Sequence, residues 1–194
     1  PGVAYDVCGE QILVSTRVGR ELVLRDPNTL RDESVVRIPD ADRFRRARCS
    51  LDGRRIVYAR VPGGSFRHLS ELFVLDRNDG TTTQLSPPAS TDMKVTSVGT
   101  FTHEGRSVVL SLTKEQKTNL FEVAVKGGAF RQLTFGDGPD LWPDESGDGK
   151  LLVYDRDSTS GPLFVSDERG STQLTRRLEF YTRIRPATPD LVIA

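Results

Sequence analysis

Seven acidic residues fall between positions 137 and 157, in a stretch (FGDGPDLWPDESGDGKLLVYDRD, 135–157) that also holds Trp142, the single tryptophan of the chain. Carboxylates at this density suggest either a loop for a hard cation or a carboxylate pair of the kind that hydrolyses glycosides. Asp144, Ser146, Asp148 and Gly149 follow the opening spacing of a calcium loop. The twelfth position, however, is Asp155 rather than Glu, the intervening KLLVYD reads as a strand, and no helical pattern flanks it. A repeated hairpin turn therefore outweighs the metal reading, and no spacing marks two of these acids as a catalytic pair.

The second concentration of charge is RFRRARCSLDGRR (43–55), within a segment, 40–60, that carries seven Arg against three Asp. If 43–49 is a strand, alternation puts Arg46 and Arg48 on one face and Arg43 and Arg45 on the other. One pair directed into a channel would hold a carboxylate or phosphate through bidentate hydrogen bonds. Ion pairs with acids of neighbouring segments, or a solvated edge, are the favoured alternatives. A nucleic-acid partner is not expected, because 27 basic and 27 acidic residues cancel and no aromatics interleave the arginines.

Nucleophilic and cofactor chemistry find little support. There is no G-x-S-x-G elbow, phosphate loop or dinucleotide fingerprint, and His68 and His103 are the only histidines. No catalytic residue, metal ligand or cofactor is assigned. Cys8 and Cys49 are either one bridge or two buried thiols. The candidate binding residues are Arg46, Arg48, Asp140 and Trp142, with Phe66 and His68 in the segment VPGGSFRHLS (61–70). Trp142 has two readings, packing between sheets or anchoring a ligand.

These residues sit in a repeat. RCSLDGRRIVYAR (48–60), TFTHEGRSVVLSL (100–112) and DESGDGKLLVYDR (144–156) share an acid-Gly turn, a basic residue and an apolar strand, and YDVCGEQILVSTR (5–17) is a weaker copy. Each is followed by a β-rich segment, at 21–30, 71–86, 119–134 and 162–175. The last three of these carry a glycine turn (Asp79-Gly80, Gly127-Gly128, Arg169-Gly170) and end in Gln-Leu-Ser or Gln-Leu-Thr. Gly9, Gly53, Gly105 and Gly149 lie 44, 52 and 44 residues apart, the longer interval absorbing 61–70 as an inserted loop. That period, without helical periodicity, predicts an all-β propeller of four-stranded antiparallel blades. The expected divisions are 1–39, 40–88, 89–136 and 137–177, with a partial fifth blade at 178–194. In the second blade, 43–49 is the candidate for the strand nearest the axis. Ile56-Val57-Tyr58, Leu72-Phe73-Val74, Val108-Val109-Leu110, Leu151-Leu152-Val153 and Leu163-Phe164-Val165 should fill the core between blades.

Asp140, Trp142-Pro143, SGDGKLLVYDRD, PLFVSD, Gly170 and QLT closely resemble the WD-repeat-like propeller repeat of the TolB family. The resemblance extends over nearly the whole chain, with departures at HEG (103–105) and CGE (8–10). It implies a non-enzymatic scaffold, periplasmic or extracytoplasmic, that binds a protein or peptide at its channel mouth and loops and associates peripherally with a membrane complex. An anionic small ligand is the alternative occupant. Rival expectations are the gating propeller of a prolyl-oligopeptidase-like serine peptidase and the sensor domain of a bacterial regulatory protein. A composition of 36% hydrophobic and 28% charged residues fits a globular protein, and no apolar run is long enough to span a bilayer. Four blades and part of a fifth point to a piece of a larger propeller, or to a full one whose missing strands come from another segment or chain, and Pro1 in place of an initiating Met suggests a processed product or a piece of something longer.

Overall fold

The computed structural model of this 194-residue chain describes residues 3–16, 20–64, 70–88, 91–156, 163–174, 185–188 and 191–193. Four successive four-stranded sheets follow one another along the chain, each a simple up-and-down meander. The first contains β1 (Val3–Cys8), β2 (Gln11–Ser15), β3 (Glu21–Arg25) and β4 (Asp32–Arg37). In the second are β5 (Arg43–Cys49), β6 (Arg55–Val61), β7 (Glu71–Asp76) and β8 (Thr82–Gln84). The third is built from β9 (Lys94–Phe101), β10 (Ser107–Lys114), β11 (Lys117–Ala124) and β12 (Arg131–Gln132). The fourth holds β13 (Asp140–Glu145), β14 (Leu152–Arg156), β15 (Leu163–Asp167) and β16 (Gly170–Gln173), and β17 (Arg185–Thr188) pairs with β18 (Leu191–Ile193). A 3-10 turn at Pro62–Gly64 is the one helical element among the described residues.

The turns between the first two strands of each sheet explain the repeated acid-Gly signature. Ser50 and Ser146 each donate a side-chain hydrogen bond to an aspartate two residues on, Asp52 at 2.6 Å and Asp148 at 2.7 Å. Those carboxylates accept the N–H of Arg54 and Lys150. The Gly53, Gly105 and Gly149 N–H groups bond back to the carbonyls of Ser50, Thr102 and Ser146. All four turn glycines, Gly9 included, have φ between 60° and 73°, a region that side chains bearing a Cβ rarely adopt. The acids of the repeat are turn residues.

Packing follows from strand alternation with a neighbour on both faces. In β6, Ile56 and Tyr58 join a core against the first sheet, while Val57 and Ala59 join a core against the third. In β10, Val108, Leu110 and Leu112 face the second sheet, and Val109 faces Leu120 and Tyr154 in the core toward the fourth. A strand buried on both faces needs a continuous apolar run, which is why these segments read as unbroken triplets. In β14 the fully buried positions are Val153 and Tyr154, and Leu151 just before it is only half-buried. The outer strands β4, β8 and β16 are largely exposed.

The first strand of each sheet packs against the first strand of the next: β1 on β5, β5 on β9, β9 on β13 and β13 on β17. These are the inner strands. Each carries a bulge, one extra residue opposite its partner, between Ala4 and Asp6, Phe44 and Arg46, Ser97 and Thr100, Leu141 and Asp144, and Pro186 and Thr188. Bulges bend a strand and re-aim its side chains. In β9 the bulge brings Gly99 so close to β10 that a Cβ there would lie 1.3 Å from the Val109 carbonyl oxygen.

Candidate binding site along the inner strands

Arg46 and Arg48 lie on one face of β5, as alternation predicts, opposite Ala59 and Val57 of β6. Arg43 does not alternate against them as expected, because Arg45 is the extra residue of the bulge and restores Arg43 to the same register. Its guanidinium instead donates to the carbonyls of Asp40 and Asp42. Arg48 extends from the second sheet to Asp144 of the fourth, Nη2 to Oδ2 3.3 Å, with both side chains under a tenth exposed. The ion-pair reading thus holds for Arg48, with a partner 96 residues away.

Toward the N-terminal ends of the inner strands, a cavity of about 140 Å³ is lined by Arg45, Arg46, Ser70, Thr96, Ser97 and Trp142, with Val95 and Val98 as its apolar wall. Trp142 occupies the bulge of β13 at φ 54°. That conformation is unusual for a bulky side chain and persists only where the surroundings enforce it. Two contacts hold it there: the Trp142 N–H donates to Ser97 Oγ at 3.4 Å, and the Arg46 guanidinium lies 4.6 Å from the indole centroid. The indole is 38% exposed. Ser97 is itself held by a 2.7 Å bond to Ser111, and Arg45 donates to Ser70 at 3.3 Å.

Toward the C-terminal ends the inner strands open into a wider concavity of about 460 Å³. All four sheets contribute to it, through Asp6 and Val7, Arg48 to Leu51, Thr100 to His103, and Asp144 to Gly147. Its carboxylates are engaged in structure. Asp6 accepts the Cys49 N–H at 3.0 Å, Asp144 holds Arg48, and Glu145 accepts the His103 N–H. Burial raises the Glu145 pKa, the His103 N–H working against it. At the rim Val7 and Leu51 are 60% and 68% exposed. Beneath it a disulfide, Cys8–Cys49, ties β1 to β5 with Cα atoms 5.5 Å apart, which resolves the two cysteine alternatives.

Two further acids of 135–157 have structural partners. Asp140 is fully buried and paired to Arg156 (Nε to Oδ1 2.7 Å), whose guanidinium also stacks over Phe164 and whose pKa that carboxylate raises. Asp140 is therefore a core ion pair, remote in role from Trp142 two residues on. Asp137 is exposed and paired with Lys117. Among the described residues no cluster of His, Cys, Asp or Glu is arranged to hold a metal. Phe66 and His68 lie outside the described residues. Sequence reasoning missed Asp144 as the partner of Arg48, Ser97 as the support of Trp142, and the exposed Val7 and Leu51. None of these stands out locally, since each gains its role from a neighbouring sheet.

Radially packed four-stranded antiparallel sheets with inner strands lining an axis define an all-β propeller. TolB from Acinetobacter baumannii has this fold, with a TM-score of 0.67 at 17% identity over 90% of this chain and 43% of that one. A putative TolB from Agrobacterium tumefaciens aligns at 0.51 and 13% over 89% of this chain and 79% of that one. A structure from a study of two prolyl endopeptidases also scores 0.67, at 14% identity, covering 92% of this chain and 29% of the peptidase chain. At these identities the likeness is one of fold. The chain spans less than half the length of the Acinetobacter protein. No family model and no curated protein sequence matches it.

Proposed function

We propose that this chain is a non-catalytic propeller scaffold that binds a protein or peptide at the mouth formed by the C-terminal ends of its inner strands. The observation that carries this reading is the 460 Å³ concavity to which four sheets contribute, with Val7 and Leu51 exposed at its rim. Exposed apolar side chains around a polar concavity suit a macromolecular partner. The carboxylates that acid–base chemistry would need are tied instead to a backbone N–H or to Arg48. Segments 1–39, 40–88, 89–136, 137–177 and 178–194 are then successive blades of a larger ring, a division supported by the order of the sheets. The Cys8–Cys49 disulfide favours an oxidising, extracytoplasmic compartment.

Photo-crosslinking in the native host tests the reading. A benzophenone side chain at Leu51 should give a discrete protein adduct, whereas one at Leu30, equally exposed at 69% but outside the lining of the concavity, should not. Adducts at neither position, or equally at both, would remove the mouth as the binding face. The fold likeness to a prolyl endopeptidase supports a second reading, the gating propeller of a peptidase. Labelling of the intact gene product by a serine-reactive fluorophosphonate would favour that alternative.

A further inference from the structure

The two halves of the disulfide are unlike in burial. Cys8, at the end of β1, is 3% exposed and belongs to the core between the first two sheets. Cys49, at the end of β5, is partly exposed and lines the wide concavity at the C-terminal ends of the inner strands. A thiol entering the mouth therefore meets the Cys49 side of the bridge first, and thiol–disulfide exchange depends on which sulfur can be reached.

The bridge also sits where movement would matter. Val7 precedes Cys8, and Leu51 follows Cys49 by two residues, so the disulfide spans the interval between the two exposed apolar side chains of the rim. Beside it Asp6, itself part of the lining, accepts the Cys49 N–H at 3.0 Å. Deeper in the interface the first sheet is held by apolar packing, with Leu13, Leu22 and Leu24 in one core with Ile56 and Tyr58. Such packing does not depend on the bridge and keeps the sheet docked when the bridge is open. The lip formed by Asp6 and Val7, by contrast, loses its covalent tie to β5.

We propose that Cys8–Cys49 is a redox latch on the mouth, opened by a dithiol reductant that attacks from the concavity. The reductant's thiolate forms a bond to Cys49 Sγ. The Cys8–Cys49 bond breaks, and its electron pair leaves on Cys8 Sγ, which takes a proton from water. The second thiol of the reductant, as thiolate, then displaces Cys49 Sγ, which is protonated in turn. The net change moves two electrons and two protons from the dithiol to the protein, and the reductant departs as its own disulfide. Opening the latch frees the Val7 side of the rim, and partner binding falls. Regulation of binding rests on the mouth being the binding face; the exchange site at Cys49 does not.

Glutathione, a single thiol used in large excess, reads the point of attack through its mixed disulfide. The folded, oxidised chain is treated with it in native buffer, quenched with iodoacetamide and digested with trypsin, and cleavage after Arg17 and Arg48 puts the two cysteines on separate peptides. The glutathione adduct should fall on Cys49 in about tenfold excess over Cys8, with the alkyl group on Cys8. Dithiothreitol should open the bridge without urea, at a rate proportional to its concentration. Adducts divided evenly or favouring Cys8, or opening only at urea concentrations that unfold the chain, would overturn the latch and leave the disulfide a structural staple. Binding is read by the Leu51 crosslink. Cys8→Ser/Cys49→Ser, shown to be folded by its unfolding midpoint, should lose most of the adduct that the oxidised chain forms. If that variant does not fold, the dithiothreitol-treated chain in host extract gives the same comparison against the oxidised chain. An undiminished adduct would overturn regulation of the mouth. Absence of the adduct from the oxidised chain as well would remove the mouth as the binding face, and its regulation with it, whereas Cys49-selective exchange would still support the exchange site.

Discussion

Removing one member of the Arg48–Asp144 pair leaves the other charge buried without its partner. Arg48→Ala and Asp144→Ala should each lower unfolding stability by about 3–5 kcal/mol in urea denaturation. The double variant Arg48→Met/Asp144→Leu should lose far less than the two single losses combined, since the desolvation cost of both ions disappears together. Additive losses would mean the two charges do not depend on each other. Two glycines make a parallel comparison. Gly53 needs its φ of 68° but has room for a methyl group, and Gly53→Ala should cost about 1–2 kcal/mol. Gly99 has ordinary φ but no room, so Gly99→Ala forces β9 away from β10 and should reach or exceed the upper end of the ~1–3 kcal/mol range for overpacking.

The disulfide acts between elements. It closes a 41-residue loop between β1 and β5, and the chain-entropy relation gives about 4 kcal/mol for a loop of that length. Cys8→Ser/Cys49→Ser, or reduction under native conditions, should lower the urea midpoint accordingly, and the oxidised protein should show no reactive thiol before unfolding. Since β1 and β5 are the inner strands of adjacent sheets, hydrogen exchange should rise first in β1 and β2 after reduction. Uniform loosening of all four sheets would show that the bridge does not act locally.

For the whole molecule, acid stability depends on opposing groups. Hydrogen bonding from Ser146 and the Lys150 N–H holds Asp148 below its ordinary value of 3.8. Asp52 is also lowered: burial opposes the shift, but the Ser50 hydroxyl and Arg54 N–H outweigh it. A depressed folded-state pKa contributes stability that is complete above the unfolded value and is lost as pH falls through the folded one. These turns should therefore begin to weaken below about pH 4. Glu145 has the reverse sign. Its raised pKa imposes a penalty when ionised, and that penalty disappears as pH falls below its ordinary value of 4.5. Glu145→Gln should thus raise the thermal midpoint at pH 7, and the gain should vanish below pH 4.5. A gain independent of pH would point to packing rather than charge.

The repeat was legible because each blade needs the same local chemistry. The positive-φ glycines, the Ser–Asp turns of two of the sheets and the doubly buried apolar triplets are short-range requirements written into the copies, and their spacing yields the propeller. Other features depend on the third dimension. Asp140 and Asp144 look alike in the sequence, yet one is a core partner of Arg156 and the other crosses between sheets to Arg48. Trp142 has two readings until the bulge of β13 turns it toward Arg46. Cys8 and Cys49 become a bond only when their strands lie side by side. Turn geometry and alternation act over a few residues, so the chain states them directly; bulges, ion pairs and cavities arise where sheets meet, and only packing decides which residues meet there.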